Sequence, residues 1–133
     1  MKAVGYVESL PIADERSLLD FDAPEPAPRP RDLVVRVKAI SVNPVDTKVR
    51  MRGQGTKEAP AILGWDAAGV VESVGADARL FKPGDEVFYA GSLTRPGANS
   101  ELHAVDERIV GPKPATLGFA EAAALPLTSI TAW

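Results

Sequence analysis

The sequence predicts a mainly β fold in which many short strands, with few helices, form a small closed barrel. Short apolar runs follow one another along the chain, and turn residues separate them. The 12 prolines and 11 glycines exceed the average content of both and favour turn-rich β structure over a helical bundle. A chain of 133 residues is long enough for one domain with its own core.

The clearest strand pattern is an alternation of two residue sets, Leu33, Val35, Val37 and Ala39 against Val34, Arg36, Lys38 and Ile40. One set is wholly apolar and the other carries two charges, which is typical of a strand with one buried face. The turn Lys82-Pro83-Gly84-Asp85 suits type II geometry, because Pro and Gly occupy its central positions. Strands are predicted at residues 1–10, 17–22, 33–40, 67–74, 86–90, 99–105 and 108–110.

Proline positions set the remaining elements. In the connector 23–30 every second residue is a proline, so this segment is expected to run extended along the surface. Pro44 suits the first turn of a helix over roughly residues 45–51. A second helix is predicted at 119–125, with Gly118 as a tolerable N-cap, and a third begins at Pro126.

Composition excludes several classes of function. The net charge of −3 offers no basic surface for nucleic acid or for an anionic membrane. The chain has no cysteine, which removes disulfides, thiolate zinc sites and cysteine nucleophiles. Its start lacks the apolar core of a signal peptide, and no run approaches the roughly 20 apolar residues that span a bilayer. We therefore expect a cytoplasmic protein.

Residues 64–75 form the most informative segment, Gly-Trp-Asp-Ala-Ala-Gly-Val-Val-Glu-Ser-Val-Gly. It resembles the signature of the medium-chain dehydrogenase/reductase superfamily, Gly-His-Glu-x-x-Gly-x-Val-x-x-Val-Gly in the zinc-dependent alcohol dehydrogenases. The glycines and valines fit, but Trp65 replaces the histidine and Asp66 the glutamate. The chain therefore resembles the zinc-independent, quinone oxidoreductase-like branch.

This resemblance covers essentially the whole chain and implies a GroES-like, partly open β-barrel with short helices. Residues 1–125 would form the substrate-side catalytic domain, and residues 126–133 would begin the helix that leads to a Rossmann domain. No G-x-G-x-x-G fingerprint occurs in the sequence. We therefore expect the N-terminal domain of a longer enzyme, truncated before its nucleotide-binding domain and inactive alone.

The activity that the resemblance implies is hydride transfer from NADPH to a quinone, an enone or a related carbonyl compound, without zinc. The NADPH would be bound mainly by the absent domain. The choice of NADPH over NADH, the substrate and homodimerisation of the full-length protein stay open. A GroES-like binding or structural module is the alternative, although its docking loop should be apolar and loop 52–60 is polar. A member of the family whose catalysis has lapsed is a third.

The segment Val42-Asn43-Pro44-Val45-Asp46 resembles the Val-Asn-x-x-Asp segment of quinone oxidoreductases. Asn43 would then donate its amide to the carbonyl oxygen or orient the nicotinamide, or it caps the helix. Asp46 either orients the active site or complements the helix dipole. Lys48 either faces the substrate oxygen or is a solvated surface lysine.

Three further candidates come from the same resemblance. Trp65 would form an apolar lid beside the vacant metal position and contact the substrate, and Tyr89 would face the cleft or pack as a core aromatic. Thr128 would approach the nicotinamide or cap its helix. Asp66 is expected to tie neighbouring backbone amides. His103, the only histidine, lacks ligand partners and is predicted to be structural or exposed.

Overall fold

The computed structural model describes residues 1–133 and confirms a mainly β fold with short helices. Three α-helices accompany the strands: α1 (Pro44–Arg52), α2 (Phe119–Ala123) and α3 (Pro126–Ala132). The strands are β1 (Lys2–Tyr6), β2 (Leu19–Asp22), β3 (Asp32–Ser41), β4 (Ala61–Ile62), β5 (Asp66–Val74), β6 (Glu86–Ala90), β7 (Leu102–Asp106) and β8 (Val110–Pro112).

The strands form two sheets and not the closed barrel that the strand pattern predicted. One sheet has the order β2-β1-β4 and the other the order β7-β3-β5-β6-β8. The edge strands β7 and β8 are not hydrogen-bonded to each other, so the larger sheet stays open. The GroES-like, partly open arrangement implied by the family resemblance is the one observed.

The core lies on the inner face of the larger sheet, and the alternation in β3 positions it. Leu33 and Val35 are fully buried, whereas Arg36 and Lys38 on the opposite side are exposed. Val34 is buried as well, so both faces of β3 are covered at its start. The main cluster consists of Leu33, Val35, Ala67, Val71, Ala78, Val87, Tyr89, Ala98 and Val105.

Local signals located most elements within a few residues. The turn before β6 has the predicted geometry, because Gly84 has φ +95° and the Asp85 N–H donates to the Lys82 carbonyl. The first strand ends at Tyr6, and the short strand β4 was not predicted. A 3-10 turn, Glu107–Ile109, occupies most of the segment predicted as a strand at 108–110.

Two buried carboxylates, Asp32 at the start of β3 and Glu107 directly after β7, stabilise loops beside the larger sheet. Asp32 forms a bidentate ion pair with Arg95, with distances of 2.9 and 2.6 Å. Glu107 accepts hydrogen bonds from the Arg31 guanidinium and from two backbone amides. Each carboxylate joins segments that lie far apart in the sequence.

None of the three α-helices is long and apolar enough to cross a membrane.

Candidate functional site

The site begins where β3 passes into α1. Asn43 is extended, and Pro44 starts the helix, as its fixed φ favours. The Asp46 carboxylate accepts a hydrogen bond from the Asn43 N–H at 2.8 Å. Asn43 and Asp46 have the arrangement of a capping box at the start of α1, although the Asp46 N–H donates to the main-chain oxygen of Asn43 rather than to its side chain. The Nδ2 atom of Asn43 is engaged elsewhere.

The Asn43 amide is directed at β5. Its Nδ2 atom donates to Asp66 Oδ2 at 3.0 Å and reaches the Ser41 carbonyl only at 3.5 Å. The register of the sheet explains the approach, because Asp66 pairs with Ser41 on one side and with Ala90 on the other. Asp66 thus lies at the first position of β5, beside the loop that carries Asn43.

The two predicted motifs are interlocked. Asp46, from the first motif, accepts the Gly64 N–H at 2.9 Å, and Gly64 belongs to the second motif. Asp66, from the second motif, accepts the amide of Asn43 in the first. Gly64 has φ +99°, a conformation that favours glycine. The structure therefore brings Asn43, Asp46 and Asp66 into one buried network.

Asp66 also holds the start of α3. Its Oδ1 atom accepts the Leu127 N–H at 3.0 Å, so both carboxylate oxygens have partners. Burial raises the pKa of Asp66, the hydrogen bonds from Leu127 and Asn43 oppose the rise, and the nearby Asp46 charge adds to it. The side chain is fully buried. Asp66 does tie a backbone amide, but one from a distant helix and not from a neighbouring residue as predicted.

An apolar cleft of about 660 Å³ adjoins this network. Trp65 and Leu127 both line the cleft. Trp65 directly precedes Asp66 in the chain, and the Leu127 N–H donates to Asp66, which also bonds to Asn43. The Trp65 Nε1–H donates to the Ser92 carbonyl at 3.1 Å, which fixes the indole plane. The other apolar lining residues are Val45, Ala90, Leu93, Ile109 and Ile130. Such a cleft suits a largely apolar ligand.

Other concavities lie away from these residues. One is lined by Arg29, Arg95, His103 and neighbouring residues, and another lies under the proline-rich connector. Neither contains Asn43, Asp46, Trp65 or Asp66. The cleft beside Trp65 is therefore the candidate site.

The remaining predicted residues lie outside the network. Lys48 is exposed on α1, and no ion pair or hydrogen bond of its side chain is found. Thr128 is exposed on α3, and its hydroxyl donates to the carbonyls of Ala124 and Leu125. Asn43 itself is 7% exposed and does not line the cleft.

Tyr89 lies in the core and does not line the cleft. It is 2% exposed, and its hydroxyl lies 2.9 Å from His103 Nδ1. His103 Nε2 lies 3.0 Å from the Pro96 carbonyl. Because a carbonyl can only accept, Nε2 carries the proton and Nδ1 accepts from Tyr89. Burial lowers the pKa of His103 to about 4, so the ring is neutral at pH 7. His103 is structural, as the sequence predicted.

These residues do not fit a catalytic zinc ion. The Trp65 indole is a hydrogen-bond donor only, and both oxygens of Asp66 already accept hydrogen bonds. The chain has no cysteine, and both ring nitrogens of His103 are engaged. No group of three or more His, Cys, Asp or Glu side chains converges at metal-ligand spacing.

Sequence reasoning missed the cleft residues contributed by loops and by the last helix. Leu93, Ile109 and Ile130 are exposed apolar side chains around the cleft. An apolar residue in a polar turn, such as Leu93 in Gly91-Ser92-Leu93-Thr94, was the available signal.

A family model for the alcohol dehydrogenase GroES-like domain matches residues 29–131. The chain belongs to this family. A zinc-type alcohol dehydrogenase-like protein of Staphylococcus aureus is 43% identical over 133 residues, which are 100% of this chain and 39% of that protein. The chain thus spans about two-fifths of the length of this relative.

Solved structures show the same domain. A Rhizobium etli protein, provisionally named a zinc-dependent alcohol dehydrogenase, is 62% identical with a TM-score of 0.96, over 100% of this chain and 39% of that one. The quinone oxidoreductase of Escherichia coli, solved in complex with NADPH, is 28% identical with a TM-score of 0.79. That match covers 98% of this chain and 39% of the E. coli chain. The comparisons support an oxidoreductase domain of the medium-chain superfamily.

Proposed function

We propose that this chain is the substrate-side domain of an NADPH-dependent oxidoreductase that reduces a quinone, an enone or a related carbonyl compound without catalytic zinc. The observation that carries the proposal is the interlocked network of Asn43, Asp46 and Asp66 beside an apolar cleft. The network fixes polar side chains in position, and these would take the place of a zinc ion beside the acceptor. The name of the E. coli relative supports the cofactor and the quinone class.

The cleft walls bind and dehydrate the acceptor. Leu93, Ile109, Leu127 and Ile130 present apolar surface that suits an aromatic or quinonoid ring. The Trp65 indole lines the cleft as a buried residue, 3% exposed, and its hydrogen bond to Ser92 fixes it. Exclusion of water strengthens any hydrogen bond made to the acceptor oxygen. NADPH supplies a hydride when it is bound. We assign two residues to its binding, Asn43 and Thr128.

Asn43 is the candidate for the polar contact. One N–H of its amide is committed to Asp66 at 3.0 Å, and the other reaches the Ser41 carbonyl only at 3.5 Å. We assign this second N–H, whose contact with Ser41 is at the limit of hydrogen-bond distance, to a carbonyl oxygen or to the nicotinamide. Negative charge develops on the carbonyl oxygen as hydride arrives, and a fixed donor stabilises that charge. Asp46 holds the Asn43 backbone, and Lys48 is a candidate for a supporting positive charge.

The test uses the complete gene product, with NADPH oxidation followed in the presence of quinones, enones and simple alcohols. We expect turnover with the first two classes. Asn43→Ala should lower kcat by about 100-fold, more than it raises KM. Met51→Ala, on the exposed part of the same helix, is the control and should retain wild-type rates.

Absence of NADPH oxidation with every quinone and enone would contradict the proposed activity. Wild-type kcat in a folded Asn43→Ala variant would show that Asn43 has a structural role and does not belong to the catalytic site.

A further inference from the structure

Asp66 is a buried carboxylate that holds two distant segments of the chain by hydrogen bonds. It is fully buried, and its two oxygens bond to residues 23 and 61 positions away in the sequence. A buried carboxylate is costly to desolvate, and its removal would leave the Asn43 amide and the Leu127 N–H without an acceptor. What Asp66 does to these two partners is therefore the question that its position raises.

Both partners of Asp66 are hydrogen-bond donors, and this fact fixes the orientation of Asn43. An asparagine amide can present either its nitrogen or its oxygen to a neighbour. Both oxygens of the Asp66 side chain accept hydrogen bonds, so Asp66 selects the nitrogen of Asn43 and leaves one N–H directed away from Asp66. The same carboxylate fixes the first turn of α3 through Leu127, which lines the apolar cleft.

We propose that Asp66 is a positioning residue that sets the amide orientation of Asn43 and couples it to α3. This inference rests on the proposed function, because it assigns to Asp66 the orientation of the group that would contact the carbonyl oxygen or the nicotinamide. Asp66 acts through Asn43 and Leu127 and contacts neither the acceptor nor the cofactor.

Asp66→Asn is the decisive substitution because it keeps the size of the side chain. Its amide has one acceptor and one donor, whereas both partners donate. The Leu127 N–H cannot turn round, but the Asn43 amide can, so we expect Asn43 to flip and offer its oxygen to the new amide nitrogen. The fold and α3 would be kept, and the free N–H of Asn43 would be lost.

The first measurement is spectroscopic and uses the 133-residue chain. In the wild type, the Nδ2 proton of Asn43 that is bonded to Asp66 should resonate downfield of the range of a free side-chain amide, since its acceptor is a buried carboxylate. In Asp66→Asn, the Asn43 side-chain resonances should move, whereas the Leu127 amide should stay protected. Glu72→Gln, an exposed carboxylate on the same strand paired with Arg36, is the control and should change neither.

The second measurement uses the complete gene product. Asp66→Asn should lower kcat/KM for the acceptor by about tenfold or more, with an unfolding midpoint close to that of the wild type. Nδ2 resonances of Asn43 in the range of a free side-chain amide in the wild type would overturn the proposal even if the variant does not fold. Wild-type kcat/KM in a folded Asp66→Asn variant would also overturn it. If the wild type does not oxidise NADPH, the proposed function fails, while the spectroscopic measurement still decides whether Asp66 orients Asn43.

Discussion

His103 is the only histidine of the chain, so its protonation can be followed without resonance assignment. Its ring is buried between Tyr89 and the Pro96 carbonyl, and burial lowers its pKa from 6.5 to about 4. In the unfolded chain the same ring should titrate near its ordinary value of about 6.5. Between these two values the unfolded state binds more protons than the folded state, so acidification favours unfolding.

The magnitude follows from the two pKa values. Between pH 7.5 and pH 5 the free energy of unfolding should fall by about 2 kcal/mol because of this one group. The loss continues as the pH falls and levels off below the folded pKa, about 4. Asp66 acts in the opposite direction, because its raised pKa lets the folded state take up a proton. A variant without the histidine is therefore needed to isolate the effect.

The assay is urea unfolding at several pH values for the wild type and for His103→Gln, with the Cε1–H resonance of His103 titrated in parallel. We expect the wild type to lose about 2 kcal/mol more than the variant over this range. The resonance should titrate near pH 4 and keep the shifts of a neutral ring at pH 6. A midpoint near 6.5, or equal pH dependence in both proteins, would refute the buried Tyr89–His103 arrangement.

Two further predictions concern stability. Arg95→Ala leaves Asp32 buried without its bidentate partner and should cost about 3–5 kcal/mol in urea unfolding, whereas Lys2→Ala, in an exposed pair, should cause no measurable change. An unaltered midpoint for Arg95→Ala would show that water replaces the pair. Gly84→Ala should cost about 1–2 kcal/mol, because φ is +95° although the added Cβ meets no atom within 4 Å. Gly91→Ala, without a positive φ, is the control, and equal effects would contradict the strain.

Local patterns predicted the elements whose cause is local. The alternation in β3 reflects one covered face, and the turn before β6 follows from a proline and a glycine at adjacent positions. The openness of the larger sheet depends on whether its edge strands meet, which no local pattern encodes. The strand β4 has two residues, Ala61 and Ile62, and is too short to show a period.

The site was predictable as a set of residues but not as a network. The family resemblance identified Asn43 and Asp46, and the structure places them in one network with Asp66. The bond from Leu127 to Asp66 spans 61 positions and had no signal in the spacing. The sequence could not show which face of β6 carries Tyr89 into the core, since apolar residues lie on both faces of this strand. The contact of Tyr89 with the buried His103 shows which face it is.

The central claim is reduction of a carbonyl compound without zinc, and metal analysis of the complete gene product tests it most directly. Protein purified without added metal should contain well under one zinc ion per chain. Its NADPH-dependent turnover should be unchanged by a strong chelator or by added zinc, since the Trp65 indole has no ligand atom and both ring nitrogens of His103 are engaged. One zinc ion per chain, with turnover lost on chelation and restored by zinc, would contradict the claim.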